Sequence, residues 1–148
     1  MNKRAVIYGR VSTNRQDFER QIKDLEKYAK VYDYEIIRIF TEKVSGTTKA
    51  QDRKAAKEFL DYIDTNKIDI VLVSEISRLG RSAINVQKTI DGIVNERKIN
   101  LYIDQQGLTA YQKNGKVNPT FKLITDVLAN VAEMERDTIV FRIKSGLE

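Results

Sequence analysis

Ala5-Val6-Ile7-Tyr8-Gly9-Arg10-Val11-Ser12 is an apolar strand that breaks into a polar turn, and its last five residues decide how the rest of the chain is read. Residues two apart on an extended strand point to the same side, so Arg10 and Ser12 face one way. A guanidinium beside a hydroxyl suits phosphate chemistry, because Arg forks onto phosphate oxygens while the serine oxygen lies ready to attack the phosphorus. An apolar strand running into a polar turn is also an ordinary structural feature. A second cluster, Ser77-Arg78-Leu79-Gly80-Arg81, follows another apolar run and favours the chemical reading.

Outward from that strand, apolar β-branched runs alternate with segments of helical period. Arg4 to Tyr8, Glu35 to Phe40, Ile68 to Ser74 and Leu101 to Asp104 read as strands. From Asn14 to Tyr32, the residues Phe18, Ile22, Leu25 and Ala29 recur at three- and four-residue steps and make one buried helical face. Asp52 reads as the cap of a helix burying Ala56, Phe59, Leu60 and Ile63, and Ser82 as the cap of one burying Val86, Ile90, Ile93 and Val94. Strand and helix in alternation predict an α/β fold with a mainly parallel central sheet flanked by helices. Right-handed crossovers place the loops after the strands on one edge, where ligands bind such sheets and where Ser12 and Arg78 fall.

Two polar loops stand out: Thr41 to Gln51, which lacks apolar anchors and should be mobile, and Gln105 to Val117. Pro119, the sole proline, follows Asn118 as the first residue of a helix. Ile124, Leu128, Val131, Ala132, Ile139 and Ile143 carry that helix on for about seven turns, roughly 35–40 Å. It outruns a small domain, so its far half docks on another subunit or projects as an arm, the alternative being a terminal helix folded back on its own sheet.

Composition narrows the chemistry. The 148 residues suffice for one domain with its own core. With no Cys and no His, disulfides, thiol nucleophiles, zinc sites of those ligands and imidazole-activated serines are all excluded. Neither a Walker loop nor a dinucleotide fingerprint is present, and the carboxylates are spaced like solvated helical faces, so no metal and no cofactor is expected. The net charge is +5, and the first thirty residues hold eight Lys or Arg against four acids, a bias toward polyanionic partners. With no leader-like segment and no long apolar run, a cytoplasmic protein is expected, with no membrane partner.

Taken together, Tyr8-Gly-Arg-Val-Ser-Thr, Gln16 and Gln21, Ser45-Gly46, Asp52-Arg53-Lys54, Arg78-Leu-Gly-Arg81 and Ala132-Glu-Met-Glu-Arg136 resemble the catalytic domain of the serine recombinases, the family of resolvases, DNA invertases and large serine integrases. The likeness runs from residue 3 to about residue 146 and keeps the family's order. It implies a resolvase-like catalytic core over residues 1–118, then from 119–148 the start of a long oligomerisation and DNA-arm helix, with the DNA-binding domain outside this chain. It further implies a site-specific recombinase acting on double-stranded DNA in the bacterial nucleoid, as a homodimer that assembles to a tetramer. Ser12 would attack a phosphodiester to give a 5′-phosphoserine link and a free 3′ hydroxyl. Arg10, Arg53, Arg78 and Arg81 would stabilise the charge on the phosphoryl oxygens without metal. Tyr8 and Gln21 would position groups in the same site. Arg136, Arg142 and Lys144 would be basic DNA contacts on the long helix.

One position departs from the family. Where an Asp usually precedes Arg-Leu-Gly-Arg, this chain has Ser77, and Glu75, two residues earlier, is the candidate substitute for its carboxylate. The alternatives to a recombinase are a catalytically silent DNA- or partner-binding domain of the same fold and a small-substrate phosphodiesterase.

Overall fold

A computed structural model describes residues 3–11, 15–43 and 49–146. Its five-stranded sheet has the order β2-β1-β3-β4-β5. β1 (Lys3–Val11) pairs in parallel with β2 (Tyr34–Lys43) and with β3 (Ile70–Val73), and β3 pairs in parallel with β4 (Asn100–Ile103). The helices are α1 (Arg15–Val31), α2 (Lys49–Thr65), α3 (Ala83–Ile90) and α4 (Pro119–Ser145). A 3-10 turn, Ile76–Leu79, precedes α3, and a π-helical stretch, Asp91–Glu96, extends it.

The mainly parallel α/β sheet matches the sequence reading, with three differences of detail. β5 (Leu108–Thr109) runs antiparallel to β4 inside what reads as the second polar loop. It is only two residues long, too short for a period-two pattern to register. α2 begins at Lys49, so Asp52 lies within its first turn and is not its cap. Likewise Thr41–Lys43 belong to β2 and Lys49–Gln51 to α2, so the first loop is shorter than expected. Its Ser45, Gly46, Thr47 and Thr48 lie outside the described residues, as does Ser12.

The period of β1 divides the interior. Ala5 and Ile7 point to one face, where Leu25 and Ala29 of α1 cover them together with Ile70, Leu72 and Tyr102. Val6 and Tyr8 point to the other, against Phe59 and Ile63 of α2 and Val86 and Ile90 of α3. β1 leads to β2 on one side and β3 lies on its other side, so crossovers of one hand put α1 opposite α2 and α3. Each fully buried aliphatic side chain in these two clusters contributes about 1.5–3 kcal/mol.

The helix ends follow local chemistry. Ser82 Oγ accepts a hydrogen bond from the Asn85 N–H at 3.2 Å, the expected cap of α3. Asn118 Oδ1 accepts from the Thr120 N–H at 3.0 Å, and Pro119 opens α4, which spans 27 residues or about 40 Å. Of its expected apolar face, Ala132 is buried and Leu128 packs against the core, whereas Val131 and Ile143 are exposed. Leu123, Val127, Val131 and Met134, at four-, four- and three-residue steps, form an exposed apolar stripe.

Candidate active site

β1 and β3 are neighbours whose following connections leave in opposite directions, and in open sheets the crevice at such a switch point is where ligands bind. Arg10 ends β1 on the face of Val6 and Tyr8. Among the described residues it is the one buried charged side chain, with 5% of its surface exposed. Across the crevice, the turn after β3 carries Glu75, Ser77 and Arg78. Arg78 Nη1 donates to the Arg10 carbonyl oxygen at 3.1 Å, which ties the two clusters together although 68 residues separate them.

Glu75 sits within that turn. Its Oε1 accepts from Ser77 Oγ at 2.9 Å and lies 3.1 Å from Arg78 Nε. The carboxylate therefore lies against the very residue that replaces the usual Asp, and against the first arginine of the Arg-Leu-Gly-Arg run. It does so from an extended residue beyond the end of β3. Gln21 of α1 reaches the end of the same strand, its Oε1 accepting from Ser74 Oγ at 3.2 Å. Tyr8 stacks its ring 4.7 Å from that of Phe59 at a tilt of 54°, which anchors the aromatic end of β1 against α2.

Tyr8, Arg10 and Arg81 open onto one cleft of about 890 Å³, walled by α2, α3 and α4. Before Arg81, Gly80 is extended and packs closely on the start of α3. A Cβ at Gly80 would lie 2.7 Å from the Val86 nitrogen and 2.8 Å from Asn85 Cβ, so any larger residue must push α3 away. Of the three basic residues expected on α4, Arg142 lines this cleft; Arg136 and Lys144 are exposed and are not among its lining residues. Arg53 lies in α2, and its side chain is outside the described set. The structure thus brings together Tyr8, Arg10, Gln21, Glu75, Arg78 and Arg81 at one sheet edge, with Arg142 across the cleft.

A site of this kind offers several guanidinium groups with the carboxylates of Glu75 and Glu135 nearby, an arrangement that holds a phosphate diester and stabilises added charge on its oxygens. Among the described residues, no three His, Cys, Asp or Glu gather closely enough to hold a metal ion. Sequence reasoning missed Glu135, whose carboxylate accepts from the Ala83 and Ile84 backbone N–H groups at 3.1 and 3.0 Å. The signal was available: Glu135 lies three residues after Ala132 in a motif already singled out, on the side of α4 that faces the core.

Comparison with known proteins bears on this geometry. Residues 5–148 match the family model of the resolvase N-terminal domain. The chain is 31% identical over 145 residues to the transposon Tn1546 resolvase of Enterococcus faecium, covering 98% of this chain and 69% of that protein. It is 28% identical over 145 residues to the serine recombinase PinR of Escherichia coli, covering 97% and 68%. A resolvase family site-specific recombinase from Streptococcus pneumoniae superimposes with a TM-score of 0.71 at 24% identity, covering 98% of this chain and 95% of the other. The N-terminal catalytic domain of TP901-1 integrase gives a TM-score of 0.67, also at 24% identity, with coverage of 92% and 98%. At that identity the two structures speak for the fold alone.

Proposed function

This chain belongs to the resolvase family and is a site-specific serine recombinase that acts on DNA, and from that premise we propose that Ser12 is its nucleophile. Ser12 Oγ loses its proton and forms a bond to the phosphorus of a backbone diester. The bond from phosphorus to the 3′ oxygen breaks, and that oxygen takes up a proton as the free 3′ hydroxyl. The 5′ end is left on the enzyme as a phosphoserine. Rejoining is the same displacement in reverse by a 3′ hydroxyl, so no ATP is consumed. Arg10, Arg53, Arg78 and Arg81 stabilise the charge that develops on the phosphoryl oxygens. Tyr8 and Gln21 position the site, and Glu75 substitutes for the usual Asp in proton transfer.

The observation that carries this reading is the Arg78 hydrogen bond to the Arg10 carbonyl, two residues before Ser12. It puts the two arginine clusters of the sequence at one sheet edge. In the same reading, residues 1–118 form the catalytic core. The helix from 119 is the interface and the DNA arm, with Arg136, Arg142 and Lys144 as its contacts. Its exposed stripe of Leu123, Val127, Val131 and Met134 supports a homodimer that pairs into a tetramer on DNA. The place of action is the bacterial cytoplasm, on the nucleoid. Among the described residues, no helix is long and apolar enough to cross a membrane.

The test is a DNA duplex nicked near the crossover, so that cleavage traps the protein covalently. Mass spectrometry of the native full-length protein should find the DNA on Ser12, and Ser12→Ala should abolish the adduct. An adduct on another residue, or none, overturns the proposal; turnover of a small phosphodiester in its place points to a hydrolase.

A further inference from the structure

α4 is docked along its first half. Phe121 and Ala132 are buried, Leu128 packs on the same core, and the helix rests chiefly on α3. Past Ala132 the described side chains are exposed, with one exception: Glu135 is half-buried. Each of its two carboxylate oxygens takes one backbone N–H of α3, Oε2 from Ala83 at 3.1 Å and Oε1 from Ile84 at 3.0 Å. These are first-turn donors that have no partner within a helix, and a negative charge there is also favoured by the helix dipole. Ser82 satisfies a third donor, that of Asn85.

The segment between the 3-10 turn and α3 is thereby fixed at both ends. At one end Gly80 is packed so closely on Asn85 and Val86 that it has no room for a Cβ. At the other, Ala83 and Ile84 are bound to Glu135. Arg81 lies between them, and Arg81 and Glu135 line the same cleft. We propose that Glu135 is a positioning residue for strand cleavage: it holds the turn that carries Arg81 and makes the place of Arg81 depend on how α4 is seated. The inference rests on Arg81 serving the phosphate site. It adds that the helix surface which meets a partner and the cationic group which meets the phosphate are joined through one carboxylate. A change in the seating of α4 then reaches the reaction centre through two hydrogen bonds.

The experiment uses the native full-length protein and the nicked duplex described above. It compares the wild type with Glu135→Gln, Glu135→Ala, Arg81→Ala and the double variant Glu135→Ala with Arg81→Ala. The readouts are the single-turnover rate of adduct formation, DNA affinity and thermal midpoint. Glu135→Ala should slow adduct formation about tenfold or more while DNA affinity stays within about twofold. Glu135→Gln, which keeps one acceptor oxygen, should fall between Glu135→Ala and the wild type. The double variant should be no slower than Arg81→Ala alone, because the glutamate acts through that arginine. A lowered midpoint with an unchanged rate in Glu135→Gln, or losses that simply multiply in the double variant, overturns the proposal. If the alanine variant does not fold, the rate of the glutamine variant decides. Absence of any adduct in the wild type overturns the assignment of Ser12, whereas equal rates in wild type and Glu135 variants overturn this inference alone.

Discussion

On one side of the sheet Ala5 and Ile7 meet Leu25 and Ala29, and Tyr28 closes over Tyr102 with ring centroids 3.6 Å apart and planes within 10°. On the other side Tyr8 and Arg10, farther along β1, line an open cleft. The same strand builds both faces, and the two-residue period of extended chain is what separates them. The α1 face spends its polar atoms on internal bonds, as where the Tyr102 hydroxyl donates to Asp104 Oδ1 at 2.9 Å. The α2 and α3 face ends in guanidinium groups at the carboxyl edge of the strands. Ala5 and Ile7 are closed off beneath α1, whereas Tyr8 and Arg10 line the cleft that we propose holds the phosphate.

That division can be broken by substitution. The largest effect is expected for Arg10→Lys, which keeps a positive charge but loses the planar fork. Adduct formation should fall by about 10²–10³-fold, while most of the folding stability is retained. A native rate would show that the buried guanidinium on the open face is structural after all. Next comes Ile7→Val on the closed face, where one methyl group leaves the core. Chemical denaturation should show a loss of about 1 kcal/mol, with the rate per folded molecule unchanged. A slowed reaction there would mean that the two faces are coupled.

The smallest effect is confined to alkaline solution. Burial pushes the phenols of Tyr28 and Tyr102 above the ordinary tyrosine range, and for Tyr102 the hydrogen bond to Asp104 adds to the shift. The folded protein then keeps protons that the unfolded chain releases, so stability is fully present below about pH 10 and declines as the pH rises beyond it. Denaturation curves between about pH 8 and about pH 11 should show this decline, and Tyr102→Phe should reduce it. A flat profile would remove the tyrosine stack from the account of the closed face.

Much of this architecture was legible because it rests on local chemistry. Pro119 after Asn118, Ser82 ahead of Ala83, and the spacing of Leu25 and Ala29 each speak through neighbours in the chain. The meeting of Arg10 and Arg78 was legible at one remove, since parallel strands force their following loops to one edge. What escaped depended on contacts between distant segments. The stacking of Tyr28 on Tyr102 and the two-residue β5 have no counterpart in any single window of sequence. Nor could charge alone separate Arg142 from Arg136: their place on the helix circumference matters only once α3 fixes which side of α4 faces the core.

The foot of α4 has a consequence of its own. The Asn118 side chain donates to the Thr109 carbonyl at 3.1 Å, and its backbone N–H donates to that of Ala110 at 2.8 Å. Its carbonyl accepts the Lys122 N–H at 3.0 Å. A rod of about 40 Å is thus mounted on a stiff bearing, and a tilt of about 10° at that mount carries the far tip through about 7 Å, roughly two base-pair steps. Small errors of fit near residue 118 are therefore magnified where the rod ends.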